Sequence, residues 1–124
     1  MLVSSNFWSK GRVMREAVNI AENVAFGTGD GTIATTSSTG VTIVTEIEIT
    51  NTSATPSTFN LALTAGASSA TAANCDFYQE PCPGNDTITL QGYWVFPAST
   101  AIHGLASAAT THVTINGQLS VAGG

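Results

Sequence analysis

The sequence predicts an all-β fold: an antiparallel β-sandwich or jelly-roll-like domain of about seven to eight strands, preceded by an N-terminal arm that is extended or partly helical. Three observations carry this expectation. Residues 43–63 read IVTEIEITNTSATPSTFNLAL, two alternating apolar and polar stretches held apart by a run of Asn, Thr, Ser and Pro. Turn-forming clusters then recur at roughly the spacing of short sandwich strands. No segment with a helical period interrupts the series after residue 32.

The elements follow in chain order. Residues 1–32 read as an arm, because RVMREAVNIAENVAF has apolar residues at irregular, partly helical spacing and GTGDGT at 27–32 breaks whatever precedes it. Residues 33–124 read as the sandwich. The longest strand signal places Val41, Ile43, Thr45, Ile47 and Ile49 on one buried face, with Glu46 and Glu48 opposite. NTSATPST is the turn of a hairpin whose second strand carries Phe59, Leu61 and Leu63. A small-residue loop, TAGASSATAAN, leads to a short strand CDFYQ, a tight turn EPCPGND, and one or two strands in TITLQGYWVF. After the turn PAST, the stretches AIHGLAS and HVTINGQLSV complete the count. Two facing sheets would bury Phe59, Leu61, Leu63, Phe77, Ile88, Leu90, Val95, Ile102, Val113 and Ile115 between them.

Charge narrows the function classes. Only 9% of the 124 residues are charged, against about 25% in ordinary globular proteins. A hydroxyl-rich surface suits a subunit packed beside neighbours, since desolvating a hydroxyl costs far less than desolvating a charge. The net charge is −5, and the three basic residues, Lys10, Arg12 and Arg15, all lie in the first fifteen. An acidic body without Lys or Arg repels phosphate, so neither nucleic acid nor an anionic membrane is an expected partner. No apolar run is long enough for a membrane helix, and the first residues lack the pattern of a signal peptide, so the chain is expected to remain where it is made.

Chemistry-bearing residues are sparse. Cys75 and Cys82 bracket CDFYQEPC and are open to three readings: reduced and largely buried thiols, a disulfide across the turn, or half of a metal site. The last lacks two further ligands at a recognisable spacing, and no metal or cofactor is expected. His103 and His112 adjoin no nucleophile motif. GTGDG lacks the Lys-Ser or Lys-Thr of a phosphate loop, and the eight carboxylates form neither an EF-hand cluster nor a recognisable glycosidase pair. The expectation is a protein without enzymatic activity. Tyr78, Tyr93 and Trp94 raise the alternative of an aromatic platform for sugar rings, although alternation in GYWVF sends half of those side chains into the core.

From about residue 40 to 121, the order VTEIEITNTSATPSTFNLAL, CDFYQEPCPGNDTITLQG, YWVFPASTAIHGLAS and HVTINGQLSV resembles that of small β-sandwich accessory proteins of tailed-phage virions. It departs from the usual form where PAST replaces a Gly-Asp turn and where two cysteines flank the central turn. The resemblance implies a non-enzymatic virion component made in the bacterial cytoplasm. It would be a capsid decoration or cement protein, or part of a fibre, present in many copies and contacting the major capsid protein or other virion proteins. It also implies attachment through the arm. Phe7, Trp8, Lys10, Arg12, Val13, Arg15 and Val18 are the expected contacts, because an arm with no core of its own must bury its apolar side chains on a neighbour. The alternative is a carbohydrate- or receptor-binding module of a fibre or adhesin.

Overall fold

The computed structural model describes residues 13–64 and 66–122. Eight strands run in chain order: β1 Val13–Ala25, β2 Gly31–Thr35, β3 Val41–Asn51, β4 Ser57–Ala62, β5 Phe77–Cys82, β6 Asp86–Phe96, β7 Ala101–Ala106 and β8 Thr111–Ala122. They form two four-stranded antiparallel sheets, ordered β1-β8-β3-β6 and β2-β7-β4-β5. The order has a simple origin. First pairs with last, second with seventh, third with sixth and fourth with fifth, as in one long folded ribbon. Rolling that ribbon brings β8 against β3 and β7 against β4. This is the jelly roll, a double-sheet architecture of two Greek keys.

The core lies between the sheets: Phe26, Val44, Ile47, Ile49, Phe59, Leu61, Phe96, Ile102, Val113 and Ile115 are all buried. Phe59 stands at its centre, stacked on Phe26 at 6.2 Å and tilted against Phe77 at 6.4 Å. Phe77 meets Trp94 edge-on at 6.1 Å and closes the gap between edge strands β5 and β6. Phe77, Ile88 and Leu90 are partly buried against this core.

Buried side chains hold the turns, one from within its own turn and one from a distant segment. Asn51 is buried; its amide donates to the Thr55 carbonyl at 2.8 Å, and its side-chain oxygen accepts from the Ser53 backbone at 3.0 Å. Those bonds satisfy a backbone reversal that would otherwise leave polar groups unmade. Thr36 does the same for PAST, donating to the Pro97 carbonyl and accepting from the Thr100 backbone, both at 2.9 Å.

Three expectations are corrected here. The division at residue 32 is wrong for its second part, because residues 13–25 are a full member of the first sheet, paired with β8 from Val13–Ala122 to Ala25–His112. Bulges after Asn19 and after Ala21 shift the pairing, and Asn23 takes φ 49°. Ile20, Ala21 and Val24 therefore all pack on the core, which breaks the alternation that marks a strand. Residues 1–12 lie outside the described residues. Secondly, Val95, expected in the core, points outward from β6 while Trp94 and Phe96 point in.

The third correction concerns β3. Thr45 has no paired partner in the β3–β8 register: Val44 faces Gly117 and Glu46 faces Asn116. On the other side the same step spans Gly92 and Tyr93 of β6. One inserted residue reverses the alternation. Beyond it Ile47 and Ile49 point inward and Glu46 and Glu48 outward, as the sequence predicts; before it Thr42 and Val44 point inward, so Val41 and Ile43 face out. Gly117 permits this geometry, since a Cβ there would run into the Ile43 carbonyl.

Candidate subunit interface

The reversal in β3 gives the outer face of the first sheet two unlike halves. Directly paired residues share a face, so the rows across the sheet can be read from the register. One row is Val95, Ile43, Gln118 and Ala17; the row beyond it holds Val41, Ser120 and Arg15. In the other direction come Gln91, Glu46, Asn116 and Asn19, then Thr89, Glu48 and Thr114.

Ile43 is only 4% exposed although it takes no part in the core between the sheets. Around it, Val41 is 38% exposed, Val95 49% and Tyr93 63%. These last three and Tyr78 are the large exposed apolar residues among those described, so three of the four belong to one apolar corner. Next to that corner stand Glu46 and Glu48, flanked by Gln, Asn and Thr and by no basic residue. Asn19 donates to Asn116 at 2.8 Å and the Thr50 and Thr87 hydroxyls meet at 2.9 Å, so neighbouring strands are tied together within these polar rows while the carboxylates are left for solvent or a partner.

The residues singled out in the sequence are distributed as follows. Phe7, Trp8, Lys10 and Arg12 lie outside the described residues. Val13 opens β1, and Arg15 is exposed on the outer face in the row of Val41. Val18 turns inward. It lines a cavity of about 270 Å³ between β1 and β2 with Ile20, Leu119, Thr42 and Thr36.

The aromatic platform does not assemble: Trp94 packs inward on Phe77, Tyr93 stands on the outer face of the first sheet, and Tyr78 belongs to β5 of the second. Cys75 and Cys82 are both free in the structure. Cys82 lies opposite Ser57 while Cys75 precedes the strand start at Phe77, which lies opposite Leu61, four residues or about 13 Å along β4 from Ser57. Burial pushes both thiols above their usual pKa. Carboxylates of Asp76 and Asp30 add to the effect at Cys75, against a hydrogen bond to the Leu61 backbone, and Asp86 adds to it at Cys82.

The other candidate groups have structural duties. Asp30 accepts from the Ala70 backbone at 2.6 Å and Asp76 from the Leu63 backbone at 2.9 Å, tying down the loop between β4 and β5. His103 Nδ1 lies 3.5 Å from Asp30 and His112 Nδ1 lies 3.2 Å from the Thr110 carbonyl. Among the described residues no three of His, Cys, Asp and Glu gather as a metal site. The sequence held no signal for the apolar corner, because Val41 and Ile43 have the same local pattern as the buried Ile47 and Ile49.

No protein-family model matches the chain, and no curated protein matches it in sequence. Solved structures are similar in fold. The chain aligns over 93% of its length with 34% of VP2 in the subviral particle of infectious bursal disease virus, at 10% identity and a TM-score of 0.52. It aligns equally far with 33% of a chain from the Gx strain of that virus, at 12% identity and 0.51. The chain thus spans about a third of the length of those proteins. A looser likeness to the capsid asymmetric unit of cyanophage Pam1, with a TM-score of 0.37 at 17% identity over 89% of this chain and 84% of that one, carries no argument. The jelly roll of this chain is a fold shared with components of virus particles.

Proposed function

We propose that this protein is a non-enzymatic structural subunit of a virus particle, present in many copies. In its finer form it is a capsid decoration or cement protein, with residues 1–12 as the segment that docks on a neighbouring subunit of the particle. The observation that carries the proposal is the apolar corner of Val41, Ile43, Tyr93 and Val95 on the outer face of a jelly-roll sheet. A sandwich facing only water has no use for an isoleucine buried outside its core; a sandwich packed against a neighbour does. The likeness to chains of infectious bursal disease virus supports the virion reading, and the charge-poor composition supports close packing of copies. Jelly rolls also serve lectins and cupins, so the fold alone assigns nothing. The inward turn of Trp94 disfavours a sugar platform.

The test is mass spectrometry of purified particles, from a culture carrying the gene, after cleavage at glutamate. Trypsin is unsuitable, since every Lys and Arg lies within the first fifteen residues. Peptides of this chain in stoichiometric amounts are expected, and their absence from particles overturns the proposal. Removing residues 1–12 spares all eight strands. The shortened protein is expected to stay folded and to leave the particles.

A further inference from the structure

Resting on that reading and naming the partner, we infer that the outer face of the first sheet receives residues 1–12 of a second copy of this chain, laid parallel to β3. The inference begins with matched spacing. In an extended segment alternate residues share a side, so Trp8, Lys10 and Arg12 would present one aromatic ring followed by two cations. On the sheet, the bulge at Thr45 makes Ile43, Glu46 and Glu48 successive outward positions of β3, one apolar residue followed by two carboxylates. Both series step by about 7 Å. Trp8 would cover Ile43 between Val95 and Tyr93, Lys10 would meet Glu46, and Arg12 would meet Glu48.

Charge supports the same pairing. Of the three basic residues two are Lys10 and Arg12, and the third, Arg15, lies in the Val41 row, two rows away from Glu46. No Lys or Arg of the sandwich itself stands near either carboxylate. Two like charges on adjacent rows repel, and an incoming pair of cations would relieve that repulsion while fixing the register.

The direction of β1 excludes the chain's own segment. Both β1 and β3 run antiparallel to β8, so they are parallel to each other. Val13 lies one row beyond Val41, and four rows, about 27 Å, separate it from the level of Glu48. Arg12 is one residue of about 3.8 Å before Val13 and cannot span that distance. Folded back over its own sheet, the segment would run the opposite way and place Arg12 on Val41 and Trp8 near Glu46. Only a second copy offers the complementary direction.

Sedimentation of the full chain over a dilution series tests the inference, with circular dichroism to verify the fold of each variant. Glu46→Lys with Glu48→Lys should weaken self-association about tenfold or more, and so should Lys10→Glu with Arg12→Glu, which leaves the sandwich untouched. The chain carrying all four changes should recover most of the loss. A photo-crosslinker in place of Trp8, in mixed heavy- and light-isotope protein, should join different copies at β3 or β6. A monomeric full chain, charge reversals without effect, no recovery in the fourfold variant, or crosslinks within one chain would each overturn the inference. None of those results bears on whether the protein is found in particles, so the virion reading is tested separately.

Discussion

The two halves of β3 are four and six residues long, carry similar apolar residues, and face opposite ways. Ile47 and Ile49 are sealed between the sheets; Ile43 is nearly as inaccessible but lies on the outside, covered by its own row. Burial and membership of the core are therefore separate properties. The first half is covered by a few side chains that a neighbour can complete, whereas the second is locked by Phe59, Val113 and Ile115 of the same chain. Stability should reside in one half and association in the other.

The sharpest way to break this comparison is to place the same charge in each half. Ile47→Asp should cost about 4 kcal/mol or more and unfold the domain, because the carboxylate has no route to water. Gly117→Val should cost about 2 to 3 kcal/mol in urea denaturation, since a side chain there collides with the Ile43 carbonyl and must displace the bulge that separates the halves. Ile43→Asp should cost only about 1 to 2 kcal/mol, because its carboxylate can turn into solvent, yet it should abolish self-association. Equal losses from the two isoleucine variants would show that both halves belong to one core.

Smaller effects sharpen the picture. Cys82 lies behind the second half, its thiol 4.0 Å from the Ile49 carbonyl, and Cys75 is at the far end of β5. A reductant should leave the melting temperature of the native chain unchanged, and a drop would show a bond between the two. Both thiols have raised pKa values in the fold, so the unfolded chain loses their protons first as pH rises. Their contribution is present in full below the usual thiol range of about 8.5 and should decline above it. Glu48→Lys should change stability by about 0.5 kcal/mol, detectable as a small shift in the urea midpoint, while changing the salt dependence of association.

The all-β class was legible in the sequence because alternation is a local property, carried by neighbours in the chain. So were the reversals at NTSATPST, where Asn51 satisfies backbone groups within four residues, and at PAST, whose composition marks a turn although Thr36, more than sixty residues away, is what holds it. The outward course of Glu46 and Glu48 followed from the same periodicity. Other features required the tertiary structure. The strand at 13–25 was hidden because two bulges broke its alternation, and a bulge exists only with respect to the strand opposite, here β8, about a hundred residues away. Val41 and Ile43 were misplaced for the same reason, since the residues that accommodate the extra Thr45 are Gly92, Tyr93 and Gly117 on strands far along the chain. Periodicity within a strand specifies which residues share a face; which of two faces meets the core is decided only when distant strands set the register, and that choice created the apolar corner beside Glu46 and Glu48.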